Sequence, residues 1–247
     1  MDHVIAQLRE QVLDAARQQQ TIVIEGGGSK SFYGNRTPQA ASAGVALKLN
    51  ALRGIMNYEP TELVVTAWAG TPLQEVIDAL AASSQVLAFD PPAFGTQATL
   101  GGCVAAGLSG PGRYAGGPVK DYVLGTQLLT ASGQVLKFGG EVMKNVAGYD
   151  VSRLLPGSMG TLSLLLEASV KVLPKPAATT TLRCQISQAQ ALKVLNEWAG
   201  QPLPFSASCW IGDTAGGDGE LTIRLAGAAA AVKAAVPLLS SLVNASE

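Results

Sequence analysis

The chain has 247 residues, 47% of them hydrophobic and 14% charged, against roughly 25% charged in an average soluble domain; this excludes intrinsic disorder and provides for one large domain or two packed lobes. Lys plus Arg (17) nearly cancels Asp plus Glu (18), for a formal charge of −1, so no basic field exists to draw in nucleic acid or anionic lipid. Cys103, Cys184 and Cys209 form no CxxC pair, which excludes a disulfide framework or a self-contained iron–sulfur ligand set and fits a reducing, cytoplasmic compartment.

In chain order, Asp2 is placed to cap a helix whose apolar positions Val4, Ile5, Leu8, Val12, Leu13 and Ala16 keep a helical period. The opening Met1-Asp2-His3-Val4 lacks the basic and apolar segments of a secretory signal. Thr21-Ile22-Val23-Ile24 is a β-branched strand that runs into Gly26-Gly27-Gly28, and Val45–Leu49 resumes the sheet. Leu63–Ala67 is a further strand, and Thr71-Pro72 reads as a cap with proline at the first helical position of a helix reaching about Ala82.

From Phe89 to Pro118 periodicity fades into Gly, Pro, Ser and Thr, with Gly101–Gly107 as a short helix; so long a loop in a packed chain is usually functional. Tyr122–Thr130 and Val135–Phe138 predict a β-hairpin, and Leu162–Leu173 a long buried strand of a mixed sheet. Pro174-Lys175-Pro176 ends that ladder and opens a second lobe with a helix over Ala189–Trp198, a strand over Leu221–Leu225 and an Ala-rich terminal helix. The most apolar window, Leu225–Val243, is interrupted by Gly227, Lys233 and Pro237 and reads as a packed helix, with no membrane span expected. At about 70 residues this lobe is small for an independent core and is expected to be incomplete or shared with a partner.

Chemistry concentrates in three glycine-rich loops. Gly26-Gly27-Gly28-Ser29-Lys30 follows a strand, where main-chain N–H groups converge on phosphate oxygens without interference from β-carbons; a plain tight turn is the alternative. Neither the dinucleotide fingerprint nor the triphosphatase loop matches it. The second cluster runs Asp90-Pro91-Pro92 to Thr99-Leu100-Gly101-Gly102-Cys103, followed by Ser109-Gly110-Pro111-Gly112-Arg113-Tyr114, and the third is Gly157-Ser158-Met159-Gly160-Thr161-Leu162.

These segments, in this order, resemble the FAD-binding domain of the vanillyl-alcohol oxidase and para-cresol methylhydroxylase (PCMH) type over roughly residues 1–175, and within it the E-type subunits of bacterial glycolate oxidases, to which Lys144-Asn145-Val146-Ala147-Gly148-Tyr149-Asp150 is especially similar. The resemblance implies an α+β fold: a PCMH-type FAD-binding domain over 1–174, with subdomains at about 1–50 and 51–174, and a short α+β cap-like lobe over 175–247. It implies that Gly26, Gly27, Gly28, Ser29 and Lys30 hold the FAD pyrophosphate through main-chain groups. Pro91, Thr99, Gly101 and Gly102 would line the flavin or ribityl chain, Ser109 and Tyr114 would flank the same channel, and Gly160 and Thr161 would approach the flavin ring. Met159 and Ser163 stand where many relatives carry glutamate and glycine.

The implied activity is oxidation of glycolate, a small 2-hydroxy acid, to glyoxylate beside a D-type flavin subunit and an iron–sulfur F-type subunit. The alternatives are a self-sufficient FAD-dependent hydroxy-acid or alcohol dehydrogenase, and a non-catalytic structural subunit. The only histidine is His3, outside the three loops, so FAD is expected to be noncovalent, no metal site is expected, and no catalytic base is assigned. Cys103 reads as a wall residue. Lys144, Asp150 and Arg153 form either a surface charge group or a neutraliser of a substrate carboxylate or flavin N1. Asp90 caps a turn or touches ribose, Trp68, Trp198 and Trp210 read as core or interface anchors, and Asp213 and Asp218 lack calcium-loop spacing.

Overall fold

The computed structural model describes residues 1–34, 44–141, 149–212 and 217–243; Lys144, with the rest of its motif through Gly148, and Asp213 lie outside them. The chain divides into two compact units, Met1–Ser109 with Pro118–Pro174, and Gly110–Gly117 with Lys175–Glu247.

In the first unit the helix Asp2–Arg17 buries Leu8, Val12 and Ala15, one face at helical spacing. Asp2 makes no side-chain capping bond; Met1 holds the cap position and Asp2 sits in the first turn, where its charge still complements the helix dipole. Strands β1 (Ile22–Glu25) and β2 (Val45–Lys48) pair in parallel as a separate two-stranded sheet. The main sheet has the order β3-β4-β8-β6-β7, with β3 Ile55–Glu59, β4 Val64–Trp68, β6 Val123–Leu129, β7 Val135–Gly139 and β8 Leu164–Lys171. Every pair in it is antiparallel, so the expectation of a mixed sheet is corrected. The helix after β4, Leu73–Ala82, does not cross over to a parallel neighbour; it leads to β5 (Gln85–Val86), which pairs antiparallel with β9 (Leu173–Pro174).

One face of the main sheet sends Val65, Ala67, Leu166, Ala168 and Val170 into the core. The other carries a buried polar row in which Thr66 and Ser169 share a hydrogen bond of 2.8 Å and the Glu167 carboxylate meets Lys137 Nζ at 3.4 Å. The Thr71-Pro72 reading also needs correction. Pro72 itself is the cap residue, while the Thr71 hydroxyl accepts from Gly54 N–H (3.0 Å) and donates to its carbonyl (3.2 Å).

The helix Leu100–Ala106 forms the floor of the candidate site. Its first turn is hooked to the end of β4 by Leu100 N–H to Thr71 O (2.9 Å) and Gly101 N–H to Ala69 O (2.8 Å). Thr99 caps it, its hydroxyl accepting from Gly102 N–H at 3.1 Å, and Gly107 ends it at φ +66. Replacing Thr99 with alanine should cost about 1 kcal/mol through the lost cap, read as a lower urea midpoint with an unchanged slope.

In the second unit, β10 (Ala178–Ser187), β12 (Asp218–Gly227) and β11 (Phe205–Gly212) form an antiparallel sheet in that order. It packs with helices Gln188–Ala199 and Ala229–Val243 around Leu182, Trp198, Leu221, Ile223, Leu225, Val232 and Leu239, so this lobe encloses a core of its own. Ser187 and Gln190 form a capping box, Trp198 stacks on Phe205, and Trp210 Nε1 donates to Ile186 O at 2.9 Å. Among the described residues no helix is long and apolar enough to cross a membrane.

Candidate cofactor-binding site

Two of the three glycine-rich loops and the Leu100–Ala106 helix meet around one cleft in the first unit. Its lining includes Gly26, Gly27, Gly28, Ser29 and Lys30 from the loop after β1, Thr99, Gly101 and Gly102 from the helix start, and Met159, Gly160 and Ser163 from the approach to β8.

Missing side chains make this convergence possible. A β-carbon at Gly26 would stand 2.5 Å from Thr99 Oγ1, one at Gly27 would overlap the Gln97 carbonyl, and one at Gly101 would stand 2.8 Å from Ala69 O. Gly160, at φ +77, leaves the space its β-carbon would take to Ile24 Cδ1. The Pro156–Gly160 turn is tied to the other end of the helix by Gly157 N–H to Val104 O (3.2 Å) and Met159 N–H to Ala105 O (2.9 Å). The cleft is therefore bounded by the helix, by the Gly26–Lys30 loop beside Thr99 and by the Met159–Gly160 turn beside Ala105.

Several polar groups of cleft-lining residues lack protein partners. Among the described residues the N–H groups of Gly28, Ser29 and Lys30 donate to no protein acceptor. Among the described residues three buried side-chain polar atoms have no hydrogen-bond partner, Lys30 Nζ, Ser163 Oγ and Gln127 Oε1, and the first two belong to cleft-lining residues. Burial holds the Lys30 ammonium below its ordinary 10.5, partly countered by the Cys103 thiol, and Lys30 Nζ lies 6.0 Å from the Phe94 ring centroid. A buried ammonium is almost always partnered, so a loop that leaves the Lys30 ammonium unpaired beside free N–H groups suits an anion. The residues present fit a dinucleotide diphosphate.

Four residues expected in this channel stand elsewhere. Pro91 and Thr161 do not line the cleft, and the Thr161 hydroxyl donates to Ser158 O at 2.7 Å. Ser109 Oγ instead accepts from Val119 N–H at 3.0 Å, bracing the start of the hairpin. Tyr114 belongs to the second unit, where it lines a separate groove with Leu192, Leu195 and Phe205. Cys103 is fully buried in the core rather than in the cleft wall, and burial pushes its thiol up to about 12. It is thus protonated at neutral pH and unsuited to attack a flavin. Asp150 and Arg153 form an exposed ion pair at 3.2 Å. Glu25, Leu155 and Leu165 also line the cleft and were not singled out by sequence; they carry no local signature beyond their strand and turn positions.

The profile of the FAD binding domain family matches residues 3–139, more than half of the chain. The chain belongs to the FAD binding domain family. FAD is the cofactor of that family, and the cleft of this FAD binding domain lies mainly within the matched residues. The domain is similar to the glycolate oxidase subunit GlcE of Escherichia coli, at 48% identity over 94% of this chain and 63% of that protein. It is also similar to the glycolate oxidase subunit GlcD of Bacillus subtilis, at 29% identity over 69% of this chain and 36% of that one. The chain thus spans less than two thirds of the length of either relative. Among solved structures, alkyldihydroxyacetonephosphate synthase shares the fold, with a TM-score of 0.75 at 18% identity over 97% of this chain and 49% of that chain.

Proposed function

We propose that this chain carries the FAD of a glycolate-oxidising, GlcE-type subunit, working beside a D-type flavin subunit and an iron–sulfur F-type subunit. The observation that carries the cofactor assignment is the row of unpartnered N–H groups at Gly28–Lys30 and the unpaired Lys30 ammonium bordering one cleft. The glycolate assignment rests on the likeness to two glycolate oxidase subunits.

In this reading the Gly26–Lys30 loop holds the diphosphate through its N–H groups and Lys30 neutralises it. Thr99, Gly101 and Gly102 let the cofactor lie against helix backbone, and Leu155, Leu165 and Met159 keep water from its ring. Bound FAD supplies a two-electron acceptor for the C–H bond of a 2-hydroxy acid. Attachment is noncovalent, because the Cys103 thiol is buried and protonated and His3 is exposed on the first helix. Among the described residues Glu25 and Lys30 are the ionisable groups lining the cleft; Lys30 is given to the diphosphate, and no base for the hydroxyl proton is assigned within this chain.

The test is the visible spectrum of the purified chain, with the flavin released and identified, followed by anaerobic glycolate with and without the two partner subunits. A yellow protein that bleaches only with partners present is the expected result. Bleaching by glycolate alone would favour a self-sufficient dehydrogenase, and a colourless protein that takes up no added FAD would overturn the reading in favour of a structural subunit.

A further inference from the structure

Ser163 stands immediately before β8, whose first residues Leu164 and Leu165 pair with Leu129 and Leu128 of β6. Its hydroxyl is buried, has no hydrogen-bond partner, and belongs to a residue of the cleft wall. The cleft wall also includes the apolar side chains of Leu155, Leu165, Met159, Ala105 and Ala106. The anion-seeking groups, Gly28–Lys30, follow from Gly26 and Gly27 beside Gln97 and Thr99, whereas the turn leading to Ser163 is bonded to the opposite end of the helix. The cleft therefore offers an anion-seeking loop together with carbon walls and, at Ser163, an unpaired hydrogen-bonding group. A hydroxyl mounted among such carbon walls is satisfied only by a ligand atom or an ordered water.

We infer that the Ser163 hydroxyl hydrogen-bonds the edge of a heteroaromatic ring of the bound cofactor, an inference that rests on the FAD reading above. FAD carries two such rings, and both present ring nitrogens at their edges. The contact fixes the ring's position independently of the diphosphate held by the Gly26–Lys30 loop.

The experiment measures FAD, riboflavin and ADP binding to the wild-type chain and to Ser163→Ala and Ser163→Gly, with the visible spectrum of bound flavin and the thermal melt of each cofactor-free protein. Losing one neutral hydrogen bond should weaken FAD roughly 3- to 10-fold in both variants without lowering the cofactor-free melting temperature. If the ring is the isoalloxazine, riboflavin weakens in parallel, the flavin bands shift and ADP is unaffected. If it is adenine, ADP weakens in parallel and the spectrum holds. FAD affinity within twofold of wild type and an unchanged spectrum in both variants would overturn the inference while leaving the FAD reading intact. A wild-type chain that binds no FAD would instead overturn both.

Discussion

Replacing Gly27 with alanine should cost this protein its cofactor. The new β-carbon would fall on the Gln97 carbonyl, a backbone atom that cannot rotate away, so the Gly26–Lys30 loop and the segment leading to Thr99 must separate. Overpacking of this kind costs roughly 1–3 kcal/mol of stability. The larger effect is on binding: displacing two charge-assisted N–H contacts, at about 1.5–3 kcal/mol each, weakens FAD by roughly 100-fold or more. Gly28→Ala is the internal control. Its β-carbon would meet nothing within 4 Å, but the residue sits at φ +70, so alanine there should bring only the left-handed backbone penalty of roughly 1–2 kcal/mol. Flavin fluorescence titration and thermal melting of both variants separate the two effects.

Lys30→Met should move stability and affinity in opposite directions. In the cofactor-free protein the ammonium is buried without a hydrogen-bond partner, so methionine, of similar length, should raise the melting temperature. With the cation gone, FAD should bind roughly 10- to 100-fold more weakly, and the salt dependence of binding should flatten. The pH dependence has a definite sign. Desolvation lowers the Lys30 pKa in the folded protein below 10.5, so between that lowered value and 10.5 the unfolded chain binds more protons than the native one. Cofactor-free stability consequently rises with pH across that window. A bound diphosphate raises the same pKa, so FAD binding takes up a proton there and affinity falls as pH rises. Methionine at position 30 should abolish both slopes in chemical-denaturation and titration series run across alkaline pH.

Much of the site was legible because its signature is local. A strand that ends in Gly26-Gly27, Gly101 after the Thr99 cap, and Gly160 before a strand all mark places where a β-carbon would come within 3.0 Å of a neighbour. The hairpin over β6 and β7 and the helices Leu100–Ala106 and Gln188–Ala199 were legible for the same reason, since turn residues and caps act over three or four positions. β10 and β11 were not singled out: their Thr, Ser, Cys and Arg content carries little apolar alternation, and they become strands by pairing with β12. Pro91, Ser109, Tyr114 and Thr161 lie in suggestive company along the chain, yet none of them lines the cleft, and Tyr114 lines a groove of the second unit instead.

By itself, then, the order of amino acids determined where backbone can approach backbone, because glycine's missing β-carbon is a property of one position. Which polar groups were left without a partner was decided only when segments far apart in the chain closed on a single helix. Lys30 Nζ and Ser163 Oγ are an ordinary ammonium and an ordinary hydroxyl in sequence, and both are held out of water beside one cleft in the folded chain. Hydrogen-bond satisfaction is a sum over all neighbours, and those neighbours are assembled by the tertiary fold.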